Sequence, residues 1–439
     1  MSLRTMAFRK VVFGLILIGL LTTWPKVLCD NDASRMGAIQ SAVERHSLII
    51  ENSSFGYTGD KVFVNGHFYS DKQVMTAVLG MIVYFPLYMT GIRLEQGLNL
   101  AYYLITLIVV KGLWLAGLIA FYRALGFTKL AEKPRVWLML ALGLASLYLT
   151  WSATYNNHAV AASLLIIGFY FLLKVRFSPD SRSRDLFYAG FFLALAGTTD
   201  VPNGAFYAGF LLYVLADRRL RGRVAYFLLP LLITVLPALA INYSIAGSLV
   251  PVGMVRAYFE YSGSKWVGSR SNELTGMSIN SWKVLIPYVF NSLIGSRGFI
   301  VYNPFLVLAI PYLIRECGPK REFRREALVV GGASALIVAY YLLFSNDYGG
   351  WSYSIRYFVP LLPLLFFFIH PFLEDLSSGR KAIFAALFAV STAIAVIGLI
   401  NPWSYGYFGN FPLISNLKQF SRDSKAIVPE LTRLIGAHQ

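Results

Sequence analysis

The sequence predicts an all-α, polytopic membrane protein, and three observations support that fold class. The 439 residues are 56% hydrophobic and only 14% charged, which is too apolar for a soluble domain. Apolar runs of helix-spanning length recur along the chain. Lys and Arg cluster in the short segments between those runs, as they do in the cytoplasmic loops of membrane proteins.

Eleven apolar runs are long enough, or nearly long enough, to cross a bilayer. They are residues 10–28, 98–121, 136–152, 158–175, 186–199, 203–216, 224–243, 298–314, 327–344, 355–373 and 381–400.

A twelfth apolar run, residues 74–91, is ambiguous, and the distribution of basic residues decides its assignment. If it spans the membrane, the basic loop from Arg123 to Arg135 falls on the side opposite the other basic loops. If it lies in the interface as a juxtamembrane helix, all basic loops fall on one side. The second assignment gives about eleven transmembrane helices and a cytoplasmic N-terminus.

This topology divides the chain into a transmembrane module, residues 1–400, and a short extracytoplasmic tail, residues 401–439. Two large outer loops, 29–97 and 244–297, belong to the module. The first run is expected to be an uncleaved span, because the residues before Asp30 lack the small side chains of a signal-peptide cleavage site. Cys29 and Cys317 are placed on opposite faces, so no disulfide is expected.

The net charge of +17 could suggest a nucleic-acid partner, but the basic clusters are those of the cytoplasmic loops, so no such partner is expected. Membrane lipids are the expected surroundings.

The hairpin 186–216 is too short to cross the membrane twice. At ~1.5 Å per residue its 31 residues span roughly 46 Å, against two crossings of a ~30 Å core. The turn that holds Asp200 is therefore recessed below the outer surface. A recessed carboxylate must line a polar cavity or have a partner.

The first outer loop carries two short polar motifs. The first is Asp32-Ala33-Ser34-Arg35, and the second runs from Gly66 to Lys72. Together they resemble the GT-C superfamily of membrane glycosyltransferases, especially the branch that holds protein O-mannosyltransferases and the lipid A aminoarabinose transferase.

Members of that family have an Asp near the start of a juxtamembrane helix, often in Asp-Glu-x-Arg-Tyr, and a later Lys-Pro-Pro. Asp32 and Arg35 match the first motif, although Ala33 stands where Glu is usual. Lys72 matches the second, but Gln73 and Val74 replace the two prolines. The segments Arg297–Pro304 and Tyr348–Tyr357 look like motifs of small bacterial and archaeal members.

The resemblance implies transfer of a sugar from a polyprenyl-phosphate donor to a hydroxyl of a lipid, glycan or protein acceptor. The reaction would occur at the outer membrane face with inversion at the anomeric carbon. Asp32 is the expected general base, and Lys72, Arg297 and Arg356 are the expected phosphate ligands. Residues expected to support the site are Arg35, His67, Asp71, His158 and Asp200.

Cofactors are open at this stage. No nucleotide-binding glycine motif is present, which fits a lipid-linked donor. Many members of the superfamily have a second acidic motif after the third span, whereas Thr154–His158 contains no carboxylate here. Asp32, His158 and Asp200 are suitable ligands for a divalent cation, but nothing in their spacing demands one.

Simpler interpretations compete with each assignment. Asp32 could cap its helix, Lys72 and Arg356 could extend toward headgroups, and His67 and His158 could be ordinary hydrogen-bonding residues. Two other functions also stay open. One is a transporter or flippase of lipid-linked saccharides, and the other is a saccharide ligase or polymerase that uses a diphosphate donor.

Overall fold

The computed structural model describes residues 6–267, 282–345, 348–375, 377–404 and 411–422. The predicted all-α class is confirmed, since the strands of the described residues amount to one short hairpin. Arg270, Glu273 and two parts of the tail, 405–410 and 423–439, lie outside the described residues.

The first outer loop consists of two helices and a hairpin. Helix α1 (Met6–Thr22) leads to α2 (Asp30–Arg45), followed by strands β1 (Lys61–Val64) and β2 (His67–Ser70) and helix α3 (Val74–Met89). The strands pair antiparallel, with Lys61 opposite Ser70 and Val64 opposite His67. Asn65 and Gly66 both have positive φ, 52° and 86°, as a two-residue hairpin turn requires.

The remaining helices form the apolar body of the molecule. They are α4 (Leu100–Ile105), continued by a π-helical turn (Thr106–Lys111) into α5 (Gly112–Ala124), α6 (Glu132–Leu144), α7 (Leu147–Trp151), α8 (Asn157–Phe177), α9 (Ser183–Thr199), α10 (Gly204–Ala216), α11 (Val224–Ala246), α12 (Trp282–Leu293), α13 (Leu306–Glu316), α14 (Arg324–Phe344), α15 (Leu362–Phe367), α16 (His370–Glu374) and α17 (Ser378–Ile400). A further helix, α18, covers residues 412–422.

Six helical segments of the described residues are long and apolar enough to cross a membrane, so the chain is an integral membrane protein. They are Leu100–Phe127, Asn157–Phe177, Arg221–Ala246, Arg324–Phe344, Arg356–Glu374 and Ser378–Ile400. Other predicted spans correspond to shorter helices, such as α9 with 17 residues and α13 with 11. The total of eleven spans, the orientation of the termini and the interfacial position of α3 stay predictions.

Helix α8 lies at the centre of the body, between α5 and α9. Close approach of neighbouring helices depends on glycine, most clearly at Gly190 of α9. A Cβ atom there would overlap with the carbonyl oxygen of Phe227 in α11. Both cysteines, Cys29 and Cys317, are free.

We expect Gly190→Ala to lower the free energy of unfolding by about 1 to 3 kcal/mol, because the obstructing atom belongs to the backbone of Phe227 and cannot rotate away. Gly332→Ala in α14 is the matched control. A Cβ atom there would meet nothing within 4 Å, and alanine favours the helix by about 1 kcal/mol. Thermal unfolding in detergent measures both, and equal melting of Gly190→Ala and wild type would contradict the close packing.

Candidate active site

Asp32 is a fully buried carboxylate in the first turn of α2, at 0% exposure. Its Oδ2 accepts a hydrogen bond of 3.0 Å from the Tyr102 hydroxyl, whereas Oδ1 has no partner among the described residues. Burial raises the pKa of Asp32 to about 7 even though Arg35, Tyr102 and Arg356 act in the opposite direction. The capping interpretation is wrong, because Cys29 occupies the N-cap position of α2.

Arg35 fastens α2 to the start of α8. Its Nη2 donates a 2.6 Å hydrogen bond to Oδ1 of Asn157, and its Nη1 donates to the backbone and side-chain oxygens of Asn31. The guanidinium lies one helical turn from Asp32 and partly compensates its charge. Arg35 therefore lies beside Asp32 and fixes α2 against the helical body.

Lys72 is committed to two carboxylates. Its Nζ lies 2.8 Å from Asp60 and 2.9 Å from Asp71. Asp60 also pairs at 2.9 Å with Lys265, which reaches from the second outer loop and contacts Asp30 at 2.8 Å. This five-residue network joins the two predicted outer loops beside the beginning of α2. Lys72 therefore pairs with carboxylates in this structure, which differs from both the phosphate contact and the headgroup contact predicted for it.

Arg297 is also committed, but to the backbone. It is 3% exposed, and its Nη1 donates a 2.7 Å hydrogen bond to the Ser352 carbonyl. In return, the Ser354 hydroxyl donates to the Arg297 carbonyl at 2.8 Å. Arg297 therefore holds the segment that leads to Arg356, and this differs from the phosphate contact predicted for it.

Arg356 differs in its contacts from Lys72 and Arg297, the other two predicted phosphate ligands. Among the described residues it has no ion pair and no side-chain hydrogen bond, and its buried Nε lacks a partner. The guanidinium lies over the ring of Trp403, 4.8 Å from its centroid, and it is close enough to Asp32 to lower the pKa of that carboxyl. Gly349 (φ 87°) permits this packing, since a Cβ there would lie 3.1 Å from Cγ of Arg356.

His158 and Asp200 form a buried pair. Nδ1 of His158 lies 2.8 Å from Oδ2 of Asp200, and the two residues are 5% and 4% exposed. The His158 ring also meets Tyr357 edge-on, with the centroids 5.7 Å apart. The expectation that recessed Asp200 has a partner is confirmed.

The other predicted residues are divided between the site and the surface. Asp71 accepts a hydrogen bond from Ser34 at 3.2 Å and belongs to the Lys72 network. His67 is corrected, because its half-exposed ring pairs with Glu51 at 2.7 Å on the hairpin, outside the cluster around Asp32.

Sequence reasoning missed two site residues, Tyr102 and Asn157. Asn157 lies directly before His158 in the polar segment Thr154–His158, so its position indicated a role in the site. Tyr102 lies at the start of an apolar run, and nothing in its sequence position indicated such a role.

The residues do not fit a metal centre. Oδ2 of Asp32 is bonded to Tyr102, whereas Asp200 is paired with His158, so the predicted trio is not formed. Within the described ranges no three His, Cys, Asp or Glu side chains gather closely enough to hold a metal ion. The chemistry of the site is therefore derived from its side chains alone.

Comparison with solved structures identifies the architecture. ArnT from Cupriavidus metallidurans bound to undecaprenyl phosphate superimposes with a TM-score of 0.56 at 15% identity, over 90% of this chain and 69% of that one. The oligosaccharyltransferase of Archaeoglobus fulgidus in its apo form gives a TM-score of 0.56 at 13% identity, over 91% of this chain. The chain has the GT-C fold.

A third structure with the GT-C fold is the archaeal oligosaccharyltransferase AglB from Archaeoglobus fulgidus in complex with an inhibitory peptide and a dolichol-phosphate. It matches with a TM-score of 0.54 at 14% identity, over 93% of this chain. This chain spans just over half of the archaeal proteins, 56% and 57%. No family model and no curated protein sequence matches it.

We expect the ion-pair network to make stability depend on pH through Asp60. Burial alone would raise the pKa of Asp60, but Lys72 and Lys265 outweigh it and hold that pKa well below its usual range. A depressed pKa stabilises the fold above the unfolded value, near pH 4, and the stabilisation is lost as the pH falls further. Asp60→Asn should therefore lower the unfolding free energy by roughly 2 kcal/mol at pH 7.

Thermal unfolding in detergent between pH 3 and pH 8 measures this effect. The difference between wild type and Asp60→Asn should shrink below about pH 4. Glu260→Gln is the control, because Glu260 forms only an exposed pair with Arg256. A difference that stays constant over the whole pH range would contradict the assignment.

Proposed function

We propose that the chain is a glycosyltransferase that moves a sugar from a polyprenyl-phosphate donor to a hydroxyl acceptor. The observation that carries the proposal is that Arg356 lies within electrostatic range of Asp32. One is a guanidinium without an ion pair in the described part of the chain, and the other is a buried carboxylate with one unbonded oxygen. A cation for the leaving phosphate and a base for the attacking hydroxyl are the two groups that direct displacement needs.

Each group has a role in the proposed reaction. Oδ1 of Asp32 accepts the proton of the acceptor hydroxyl as that oxygen attacks the anomeric carbon. The bond between the anomeric carbon and the phosphate oxygen breaks, and its electron pair stays on the phosphate, where Arg356 stabilises the charge. A single displacement inverts the anomeric configuration.

The solved structures with the GT-C fold support the class of donor. One contains undecaprenyl phosphate and another contains a dolichol-phosphate. The predicted topology supports catalysis at the outer membrane face, since it places α2 in the first outer loop and the basic loops at the opposite side.

The remaining residues hold the reacting groups in place. Arg297 fixes the backbone before Arg356, and Arg35 fixes α2 against Asn157. The network of Lys72 and Lys265 joins the outer loops beside Asp32. The lipid tail would enter from the membrane between helices, which leaves its phosphate at headgroup depth.

Replacing the base should abolish turnover without abolishing donor binding. We expect Asp32→Asn to lower kcat by about 10³-fold, a typical value for loss of a general base. Asp180→Asn, which removes an exposed carboxylate beyond the end of α8 opposite His158, should retain activity. The assay uses protein in nanodiscs with a panel of undecaprenyl- and dolichyl-phosphate sugars, and nuclear magnetic resonance of the product reports its anomeric configuration.

The pH dependence of that reaction follows from the raised pKa of Asp32. Only the ionised carboxylate accepts a proton, so kcat/KM, which reports the pKa of the free enzyme, should rise with pH through about 7 and then level off. Full activity of Asp32→Asn, or a product with retained configuration, would refute the mechanism. Movement of lipid-linked saccharide across the bilayer by Asp32→Asn at the wild-type rate would indicate a flippase.

Arg356 should be required for binding the phosphate itself. We expect Arg356→Gln to weaken binding of undecaprenyl phosphate by about 10- to 100-fold, because a charge-assisted hydrogen bond to phosphate is lost. Arg380→Gln is the matched control, since Arg380 lies at the start of α17 and contacts Asp375. Binding is measured by calorimetry in detergent. Equal affinities of the two variants would exclude Arg356 as the phosphate ligand.

A further inference from the structure

His158 is a titratable residue of the site that has no role in the proposed displacement of the phosphate by the acceptor hydroxyl. Its Nδ1 is held by Asp200 at 2.8 Å, so Nδ1 carries the hydrogen and the ring has a fixed orientation. Nε2 has no hydrogen-bond partner among the described residues, although the residue is only 5% exposed. A buried imidazole with one nitrogen oriented by a carboxylate and the other free is able to bind or exchange a proton.

The surroundings of His158 indicate which ligand its free nitrogen would meet. Tyr357, the residue after Arg356, packs edge-on against the imidazole at 5.7 Å, and Tyr341 stacks on Tyr357 at 4.1 Å. Arg356 and Arg35 both lie within electrostatic range of the ring. The charged groups that face His158 are therefore two guanidiniums and one carboxylate, Asp200.

Burial and these charges together set the protonation of His158. Without a ligand, burial acts most strongly against a positive charge on the imidazole, the two guanidiniums also oppose it, and Asp200 favours it. A phosphate that binds to Arg356 adds negative charge beside His158 and shifts the balance toward the protonated ring. Nε2 then gains a proton and becomes a second donor to the phosphate.

We propose that His158, oriented by Asp200, is a phosphate-binding residue that takes up one proton when a polyprenyl phosphate binds beside Arg356. The ligand is the phosphate monoester group of the lipid, and the proton comes from solvent. His158 then donates Nε2–H to a phosphate oxygen, and Asp200 acts as its positioning residue. This inference rests on the proposed function only in placing the lipid phosphate at Arg356.

The consequence is that donor binding is linked to pH through His158. Protonated imidazole is lost as the pH rises past neutrality, so the contribution of His158 to affinity should be present near pH 6 and lost near pH 8. In the transfer reaction the same hydrogen bond would stabilise the departing phosphate. The proton that Asp32 takes from the acceptor is independent of it.

The test counts protons with undecaprenyl phosphate, which carries no sugar. Calorimetry of the full chain in nanodiscs, in buffers of different ionisation enthalpy, gives the number of protons taken up per lipid bound. Near neutral pH we expect wild type to take up about one proton more than His158→Gln. The variant should bind about tenfold more weakly at pH 6 and almost equally at pH 8.

Two further variants complete the experiment. Asp200→Asn removes the carboxylate that stabilises the imidazolium, and it should also take up fewer protons than wild type. His46→Asn is the matched control, because His46 is exposed and its left-handed conformation (φ 52°) suits Asn. This control should reproduce the wild-type proton count.

The outcomes separate the two proposals. Equal proton counts for wild type, His158→Gln and Asp200→Asn, with binding intact, would overturn the role of His158 and leave the glycosyltransferase proposal standing. Normal proton linkage without transfer of any sugar would contradict the transferase and support the phosphate site. Absence of lipid binding by wild type would overturn both. If His158→Gln fails to fold, Asp200→Asn still decides the proton count.

Discussion

The structure depends on keeping a carboxylate, Asp32, ionisable inside a buried environment. A carboxylate without water favours its neutral form, and the cost of ionisation must be offset by nearby positive charge and hydrogen bonds. Asp32 accepts a hydrogen bond from Tyr102, and Arg35, the backbone at Leu28 and Arg356 also favour its ionised form. The result is a group with a pKa of about 7, which is basic enough to accept a proton and still ionised near neutral pH.

The packing around Asp32 maintains this pKa because three of the neighbouring cations are bound to other groups. Lys72 and Lys265 are neutralised by three aspartates, and Arg297 is bound to backbone carbonyls. Had these cations faced Asp32 unpaired, they would have held its pKa at an ordinary, weakly basic value. Because these cations are paired elsewhere, only the guanidinium of Arg356 among the three predicted phosphate ligands keeps its N–H groups available, which is the arrangement expected of a residue that binds an anion.

Hydropathy and the positions of basic residues were sufficient to predict the helical class. The length of the hairpin, set against the thickness of a bilayer, was sufficient to predict that Asp200 has a partner. The π-helical turn before Lys111 and the shortness of α13 were not predictable in this way. Both depend on contacts between helices that are distant in sequence.

Site prediction was limited by the same cause. The motif around Asp32 identified the buried carboxylate, but the residue types of Lys72 and Arg297 did not reveal that each is committed to a partner. Asp60 comes from a segment with no recognisable motif, and although Ser352 lies in the motif-like segment Tyr348–Tyr357, only the fold brings both residues to these cations. Sequence therefore gives the charge of a side chain, whereas its availability to a ligand is a property of the tertiary structure.

The availability of Arg356 links the two halves of the proposed reaction. In the unliganded protein its charge lowers the pKa of Asp32, and this keeps the carboxylate partly ionised. A bound phosphate neutralises Arg356 and adds negative charge to the cleft, so the proton affinity of Asp32 increases when the donor is in place. The carboxylate is thus a weaker base while the site is empty and a stronger base once the donor is bound, because both groups share one low-dielectric space.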